Sequence, residues 1–539
     1  MQYIYPIKIL AAEGAENTAA LLKKQPLQIG LGACELTKLS GHGYLLLDFG
    51  KEYSGGIRIL AKKANGGTVR IRFGESVGEA CAELGGPQNA TNDHSLRDFT
   101  VTLPSYSDMT FGCSAFRFVR IDALDENALI TLKSVVIACD TDTRPALGSF
   151  VCDDPLVNEI WSTAAYTLRL CLQNGYFWDG VKRDRLVWIG DLYPELRAGQ
   201  CLFGKLPENL SSLDFAMEET PLPGWVSGMP AYSLWWLINL CDDHAFHGDA
   251  EQLRPYLSYI KPLLGQIGQH ITEEGDTAYP SNFIDWPTFY KKGGDETKRH
   301  DVLCGMRALS VITLKKVKAL LSALGEDTAL CEELLARLAR KTHTVSRYKQ
   351  IAALDVWAGA RTAHNEQLLL AGGAHGLSTF MSYPILSAVC AFGHYDTALS
   401  MMKEYYGGML SVGATTFWED FDLDWLENSS RIDALPAPGE TDIHGDRGAF
   451  CYVGYRHSLC HGWSTGVIPY LMEEVVGVRQ VGVGMRHLEL RPHLSGLKQV
   501  QATLPTPHGV VEIRHTLQKN GDILTEVKAP DEVRVDVIR

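Results

Sequence analysis

The spacing of hydrophobic residues changes twice along the chain and divides it into three regions. In residues 1–146, short runs of β-branched and aromatic residues alternate with glycine, proline and aspartate turns. Such runs predict strands, and several strands at this spacing predict an N-terminal β-sandwich. The predicted strands are YLLLDFG, GGIRILAKK, TVRIRFGE, RDFTVTLP, FRFVRIDAL and LITLKSVVIA. Pro145 and Gly148 mark the end of this region.

Residues 147–477 have a helical pattern instead. From Asp153 onward, apolar residues recur three and four positions apart, and acidic residues with Pro155 open the first helix. About ten to twelve helices are predicted, TALCEELLARLARKTHTVSRY (residues 328–348) among them. They are too many for a simple bundle. We therefore expect a toroid of paired helices, an (α/α)6 barrel, with functional loops at one end.

The strand pattern returns in residues 478–539. The predicted strands lie in RHLELRPHL, VQATLPTPHG, VVEIRHTLQ, DILTEVKAP and VRVDVIR, and Asn520-Gly521 is a hairpin-turn pair. These strands predict a C-terminal β-sandwich domain. The expected fold is thus multidomain, with a central (α/α)6 toroid between an N-terminal and a C-terminal β-sandwich.

Composition and charge narrow the class of protein. The 539 residues are 45% hydrophobic and 21% charged, which is typical of an ordinary globular protein. The net charge of -14 argues against a nucleic-acid partner. Apolar runs are too short to span a membrane, and the start MQYIYPIKIL lacks the features of a signal peptide. We therefore expect a cytoplasmic protein without a membrane partner.

The thirteen cysteines are scattered singly, without a disulfide framework or a CxxC pattern. They are expected to be reduced thiols. One group of potential metal ligands stands out, but its spacing matches no zinc signature: Cys451, Cys460, His444, Asp446, His457 and His461. No phosphate loop or dinucleotide fingerprint is present, so we predict neither a metal nor a cofactor.

Two clusters combine carboxylates with aromatic residues. The first is DGVKRDRLVWIGDLYPE, residues 179–195, which follows Trp178, and the second is GATTFWEDFDLDW, residues 413–425. Hydrolysis of a glycosidic bond needs one carboxyl group as proton donor and a second as base or nucleophile, while apolar rings hold the sugar. The alternative is that these acids only cap helices and form solvated ion pairs. Two such clusters in one chain favour a sugar-cleaving site.

At these residues the chain resembles a short, intracellular-type bacterial α-L-rhamnosidase of glycoside hydrolase family 78, over nearly its whole length. The first cluster is similar to the family signature, Asp, Arg, a catalytic acid and then Trp-x-Gly-Asp. GATTFWEDFD resembles the family's Ala-Thr-Thr-x-Trp-Glu stretch, FIDWP its Asp-Trp loop, and SLCHGWSTG the stretch with its pocket histidine. LLLDFGKEYSGGIRI, VRIRFGE, LRPHL and LPTPHG are also similar.

The resemblance implies a role for each matching residue. Asp184 stands at the general acid, where the family usually has glutamate, and Glu419 at the base. Because Asp184 is one methylene shorter, Glu195 is the reserve candidate for the acid. The substrate-binding residues implied or inferred for the sugar are Asp179, Arg183, Trp188, Asp191, Trp286 and His461. We expect Trp235 and Trp236 to belong to the core, and Asp420, Asp422 and Asp424 to be solvated.

The resemblance implies an inverting mechanism, in which Glu419 activates a water and Asp184 protonates the departing oxygen. The expected substrates are small glycosides with a terminal α-L-rhamnose, and the resemblance also admits a homodimer. Two alternatives from other classes stay open. One is a helical-toroid enzyme for a different sugar, or a polysaccharide lyase, although the acidic clusters argue against a lyase. The other is a non-catalytic sugar-binding relative, which the exchange of glutamate for aspartate at position 184 permits.

Overall fold

The N-terminal region of this computed structural model, which describes residues 2–290, 294–341 and 346–538, is an antiparallel β-sheet domain. Its elements are β1 (Gln2–Ile4), β2 (Lys8–Glu16), β3 (Thr37–Asn65), β4 (Thr68–Gly74), α1 (Val77–Cys81), β5 (Asp98–Thr102), β6 (Ser107–Ala123) and β7 (Leu129–Cys139). The seven-stranded sheet has the order β1-β7-β3-β6-β4-β5, and β2 pairs with β3. Alternate residues of these strands form one buried core, as the predicted period of two requires.

The segments YLLLDFG and GGIRILAKK, predicted as separate strands, are parts of the single long strand β3. Irregularities in register let this strand bend and pair with both β6 and β7. Gly55 lies at the bend, with a φ of 153°. A Cβ atom there would come within 2.2 Å of the carbonyl oxygen of Ala138, so only glycine fits.

The central region is helical, as predicted. Its helices are α2 (Pro155–Cys171), α3 (Leu192–Phe203), α4 (Pro207–Glu218), α5 (Pro230–His247), α6 (Leu257–Gln269), α7 (Glu296–Ala323), α8 (Ala329–Leu338), α9 (Lys349–Ala358), α10 (Ala363–Leu370), α11 (Ser382–Ala391), α12 (Tyr395–Ser411) and α13 (Val467–Tyr470). Helix α2 begins as its sequence predicts, with the Asp154 side chain accepting from the Leu156 N–H. Trp235 and Trp236 are buried in α5, as expected for core residues.

The helix predicted over residues 328–348 is shorter in the structure. Helix α8 ends at Leu338, and residues 342–345 of the predicted helix lie outside the described residues. Within the parts of the chain that the structure describes, no helix has both the length and the apolar character that crossing a membrane requires.

Strand β8 (Ser149–Cys152) precedes helix α2, and the short strands β9 (Leu172–Gln173) and β10 (Tyr176–Phe177) form an antiparallel pair after it. The C-terminal strands are β11 (Val478–Gln480), β12 (His487–Leu490), β13 (Gln499–Thr506), β14 (Gly509–Leu517), β15 (Ile523–Lys528) and β16 (Arg534–Val537). They form a three-stranded sheet, β11-β12-β16, and part of a four-stranded one, β15-β14-β13-β8. The pairing of β8 with β13 ties the start of the helical region to the C-terminal sheet. The domain boundaries at residues 146 and 477 stay a prediction.

Candidate active site

All the predicted site residues except Arg183 line one cavity of about 500 Å³. These residues are Asp179, Asp184, Trp188, Asp191, Trp286, Glu419 and His461. They come from segments that are far apart in sequence, and the fold brings them together around this cavity. The wall also contains residues that the sequence analysis missed, namely Ser227, Gly228, Met229, Tyr232, Ser281, Asn282, Phe283, Phe289, Cys451, Tyr452 and Trp463.

The first cluster forms a closed loop before helix α3. The backbone N–H of Asp179 donates to the carbonyl of Leu186 (3.0 Å), and the Leu186 N–H donates to the Asp179 carboxylate (2.9 Å). Inside this loop Asp184 and Arg185 both have left-handed backbone conformations, with φ of 55° and 58°. Such conformations are costly outside glycine and collect at functional sites. The loop therefore has a strained backbone conformation, and this conformation sets the directions of the Asp184 and Arg185 side chains.

Arg183 joins the two carboxylates predicted as acid and base. Its Nη1 lies 2.9 Å from an oxygen of Asp184, and its Nη2 lies 2.5 Å from an oxygen of Glu419. Because one planar guanidinium makes both contacts, the nearest oxygens of the two carboxylates are at most about 8 Å apart. Arg183 was predicted to bind the sugar, but its described contacts are with protein groups, including the carbonyl of Arg456 (2.7 Å).

Glu419 is held rigidly. Its side chain is 4% exposed, and its two oxygens accept from Arg183 and from the backbone N–H of Ser458 (3.1 Å). Its own carbonyl accepts from Thr379 Oγ1 (2.6 Å) and from Trp463 Nε1 (2.8 Å). A carboxylate has about four acceptor positions, so one remains for a water molecule in the cavity.

His461 lies close to three carboxylates of the cavity. Its Nε2 lies 3.7 Å from Asp179, 3.9 Å from Asp191 and 3.7 Å from Glu419. Burial works to lower the pKa of His461, but its interaction with the acceptor carboxylate of Asp179 and the charges of Glu419, Asp179 and Asp191 outweigh burial and raise the pKa to about 9. His461 is therefore a cation near neutral pH.

Asp179 and Asp191 face the cavity rather than capping helices. Asp191 precedes helix α3, but its side chain makes no cap hydrogen bond and instead accepts from Tyr232 Oη (3.1 Å). Burial raises the pKa of Asp191 to about 8, against the opposing pull of His461. Burial likewise raises the pKa of Asp179. In this position both carboxyl groups can form hydrogen bonds with the hydroxyls of a sugar in the cavity.

The aromatic wall is formed around Trp286. Asp285 and Thr288 close a capping box that fixes the short turn carrying Trp286. Its ring stacks on Phe450, with centroids 5.6 Å apart, and meets Phe283 edge-on at 5.2 Å. Trp188 is half-buried and meets Tyr232 edge-on at 5.8 Å. Both tryptophans therefore present an apolar surface to the cavity.

Glu195, the reserve candidate for the acid, does not line this cavity. It is 1% exposed in helix α3 and packs against Gly462, where an added Cβ would lie 1.6 Å from its Oε1. Burial raises its pKa well above the ordinary range. Asp184 is half-buried and lines the cavity, so the geometry favours Asp184 as the proton donor.

Among the acids that follow Glu419, the expectation of solvated charge holds only in part. Asp422 and Asp424 are exposed. Asp420 is half-buried, and burial, followed by the charges of Asp285 and Glu419, raises its pKa to about 7. Its position directly after the fixed Glu419 turns it inward, which an acidic sequence pattern does not reveal.

Beside the site, two carboxylates and one histidine lie close enough together to bind a metal ion. Glu75, Glu79 and His444 offer ligand atoms within 4.8 Å of one another. However, the ammonium group of Lys182 lies 3.0 Å from Glu75 and 2.8 Å from Glu79. An internal cation thus already occupies the position between these two carboxylates. Within the described residues, the predicted group around Cys451 and Cys460 is not among the possible metal sites, and all thirteen cysteines are free.

His94 is a contact of the site that the sequence analysis missed. It belongs to the N-terminal β domain, and its Nδ1 lies 2.6 Å from Asp184 Oδ1. It stands in a polar loop, QNATNDHSLRD, with no signal that would associate it with residues ninety positions later. Only the packing of the two domains places it here.

Three family models match the chain: the bacterial alpha-L-rhamnosidase concanavalin-like domain over residues 38–138, the six-hairpin glycosidase domain over residues 145–345, and the C-terminal domain over residues 477–538. A search of curated proteins gave no match. The three models follow one another in the order of the β, helical and β regions.

Solved structures share this fold. A family 78 rhamnosidase of Bacillus sp. GL1 is 20% identical, with a TM-score of 0.73 over 96% of this chain and 55% of its own. The alpha-L-rhamnosidase from Dictyoglumus thermophilum is 16% identical, with a TM-score of 0.70 over 100% and 58%. A rhamnosidase from Klebsiella oxytoca with rhamnose bound is 18% identical, with a TM-score of 0.66 over 87% and 95%. The chain spans little more than half the length of the first two and nearly all of the third.

Proposed function

The chain belongs to the bacterial α-L-rhamnosidase family, and from this premise we propose that it is an inverting glycoside hydrolase that releases terminal α-L-rhamnose from small glycosides. One observation carries the proposal. Asp184 and Glu419 line the same cavity, and the guanidinium group of Arg183 lies between them and contacts both. Inversion needs the two carboxyl groups about 6.5 to 9.5 Å apart so that a water fits between base and sugar, and the upper bound given by Arg183 is compatible with that gap.

In the proposed reaction, Glu419 takes a proton from a water that attacks the anomeric carbon. Asp184 gives its proton to the glycosidic oxygen as the bond to the anomeric carbon breaks. Arg183 fixes the distance between the two carboxylates and their orientation. The free acceptor position on Glu419 is the place for the water.

Sugar recognition is proposed for the remaining cavity residues. Asp179 and Asp191 bind ring hydroxyls, and the cationic His461 orients both. Trp188 and Trp286 contact the apolar face of a 6-deoxy sugar. Arg183 is proposed to act on the substrate only through the carboxylates it holds.

The test of this function is hydrolysis of p-nitrophenyl α-L-rhamnopyranoside by the wild-type protein, with the anomer of the released sugar followed by NMR. We expect turnover and initial release of the β anomer. Release of the α anomer would contradict inversion. Binding of rhamnose without turnover of any aryl rhamnoside would favour the non-catalytic relative, and turnover of another aryl glycoside alone would favour an enzyme for a different sugar.

The aglycone is proposed to lie in a second cavity of about 510 Å³ that shares Trp188, Ser227 and Gly228 with the first. Leu186, two residues after Asp184, lines it, and no residue of the segments that carry Glu419 and His461 does. It therefore lies on the side of the acid, where the leaving group departs. Its wall includes Trp225 and the exposed Phe215, so an apolar, flat aglycone fits it.

Changing Phe215 to serine or Trp225 to alanine should weaken the binding of naphthyl α-L-thiorhamnoside by about tenfold, because each removes aromatic contact area. The sulfur-linked ligand resists hydrolysis, so calorimetry measures binding alone. Methyl α-L-thiorhamnoside should bind all variants equally. Tyr106→Ala, which removes an aromatic side chain 58% exposed on the N-terminal domain, is the matched control. Equal affinity of every variant for the naphthyl ligand would disprove this placement of the aglycone.

The rate should fall on the alkaline side with an apparent pKa near 9, as His461 loses its proton and no longer balances the carboxylates. Because this pKa is raised above the ordinary 6.5, the stability contributed by the charged ring is full below pH 6.5 and is lost as the pH rises through about 9. Because the pKa of Asp191 is raised from 3.8 to about 8, its protonated form also contributes stability that is lost as the pH rises through about 8.

The measurement is kcat between pH 6 and pH 10 for the wild type and His461→Gln. The variant should lose both activity and this alkaline limb. His457→Gln is the matched control, since burial holds the pKa of His457 well below its ordinary value and the ring is neutral throughout that range. An unchanged alkaline limb in His461→Gln would show that another group titrates.

Further proposals concern the arrangement of the helices and sheets and the cellular location. We propose that the helices close into an (α/α)6 toroid and that both β regions are sandwiches. A bacterial cytoplasmic location is supported by the thirteen free thiols, which suit a reducing compartment. Small imported glycosides are then the expected substrates, and a homodimer rests on the family resemblance alone.

A further inference from the structure

A loop of the N-terminal β domain, residues 82–97, reaches the candidate active site. The N–H of Tyr455 donates to the carbonyl of Gln88 (2.8 Å), and Arg456 Nε donates to Asp93 (2.9 Å). Both partners belong to the segment that also carries Cys451 and Tyr452 of the cavity wall. The loop is thus fixed on the helical region immediately before His94.

His94 makes two contacts with Asp184 through one ring nitrogen. Its Nδ1 lies 2.9 Å from the backbone nitrogen of Asp184 and 2.6 Å from its Oδ1. Both residues have left-handed backbone conformations, with φ of 64° and 55°. The two segments of the chain therefore meet where both residues have a backbone conformation that costs free energy.

These contacts hold the carboxyl group of Asp184 in one direction. The Nδ1 atom of His94 lies close both to the backbone nitrogen and to Oδ1, so the ring bridges the main chain and the side chain of the same residue. The carboxyl group cannot turn away from the ring without losing the contact with Oδ1.

The other oxygen of Asp184 is also held. Arg183 Nη1 lies 2.9 Å from Oδ2, so the carboxyl group is contacted at both oxygens. Arg456 is paired with Asp93, next to His94 in the chain, and this pair fixes the segment that carries His94. His94 thus brings a contact from the N-terminal domain to the carboxyl group of Asp184.

We propose that His94 is a positioning residue from the N-terminal domain that fixes the direction in which the carboxyl group of Asp184 faces the cavity. The inference rests on the proposed function, because it takes Asp184 as the general acid. In the reaction the proton moves from Asp184 to the glycosidic oxygen, which receives the electron pair of the breaking bond, while the attacking water gives a proton to Glu419. Solvent then restores the proton of Asp184.

The experiment compares two substrates that differ in their need for an acid. Methyl α-L-rhamnoside has a poor leaving group, whereas α-L-rhamnosyl fluoride has one that departs without full protonation. His94→Ala should lower kcat for the methyl glycoside by about 10²-fold and for the fluoride by less than about threefold. His94→Asn, which retains a short polar side chain, should lie between the wild type and His94→Ala on the methyl glycoside.

The controls separate this role from a structural one. Gln88→Ala loosens the same loop while leaving His94 in place, and it should change the two rates by the same small factor. Equal losses on both substrates in His94→Ala, or no loss on either, would overturn the inference. Asp184→Asn must show the same dependence on the leaving group. If it does and His94→Ala does not, only the role of His94 fails, whereas an active Asp184→Asn without that dependence refutes the acid assignment itself.

Discussion

Glu419→Gln and Asp184→Asn should each lower the rate of p-nitrophenyl rhamnoside hydrolysis, the first by about 10³- to 10⁴-fold. Glutamine at 419 keeps the shape of the side chain but cannot take the proton of the attacking water. Asparagine at 184 cannot give a proton, yet p-nitrophenolate needs little help, so its loss should be nearer about 10²-fold here and larger on alkyl rhamnosides. The measurement is kcat for both substrate classes.

Glu195→Gln is the matched control for these two substitutions, because Glu195 is a buried carboxyl group of the same loop-helix segment that does not line the cavity. It should retain most of the activity. Binding of rhamnose, measured by calorimetry, should persist in all three variants and show that the cavity is intact. Full activity of Asp184→Asn on alkyl rhamnosides, together with an inactive Glu195→Gln, would move the role of the acid to Glu195.

Lys182→Met should destabilise the protein by about 3 to 5 kcal/mol, because it leaves the buried carboxylate of Glu75 without this cation, whereas Glu79 keeps its ion pair with Arg97. Lys182 is 1% exposed, and its ammonium group contacts Glu75, Glu79 and the carbonyls of Tyr455 and His457 (both 2.6 Å). These contacts tie the loop of Asp184 to the N-terminal domain. We therefore expect a lower midpoint of urea unfolding and a marked loss of activity.

The matched control is Lys23→Met, which breaks an ion pair with Glu35 in which both side chains are more than half exposed. Exposed pairs contribute at most about 1 kcal/mol, so this variant should unfold almost like the wild type. If Lys182→Met unfolds at the wild-type midpoint, the buried cluster does not hold the two regions together. Retained stability with lost activity would instead limit Lys182 to shaping the loop.

Most of the candidate site was predictable from the sequence because its carboxylates lie in short motifs with a distinctive chemistry. Asp179, Asp184 and Asp191 lie within one stretch of the chain, and Glu419 lies in another, each beside tryptophan. The aromatic residues Tyr232 and Tyr452 were not predicted, because an aromatic residue in an apolar segment is indistinguishable from core. Trp235 and Trp236, three and four positions after Tyr232, are indeed core.

The role of Arg183 also depended on the structure. The sequence places it beside Asp184 but does not reveal that its side chain reaches Glu419, more than two hundred residues away. An arginine can bind a sugar hydroxyl or a carboxylate with the same nitrogen atoms. In the structure its neighbours include the carboxylate of Asp184 in the same loop and that of Glu419 in another loop.

The sequence by itself determined the order of a β, a helical and a β region, since the period of apolar residues differs between strand and helix. It also contained the carboxylates that line the cavity in two short stretches, which resemble the motifs of a known family. Only the tertiary structure decided how β3 bends at Gly55, that β8 joins the C-terminal sheet, and that His94 and Lys182 link the N-terminal domain to the loop of Asp184. These contacts join residues distant in the chain, and they depend on shape and burial across domains rather than on any local spacing.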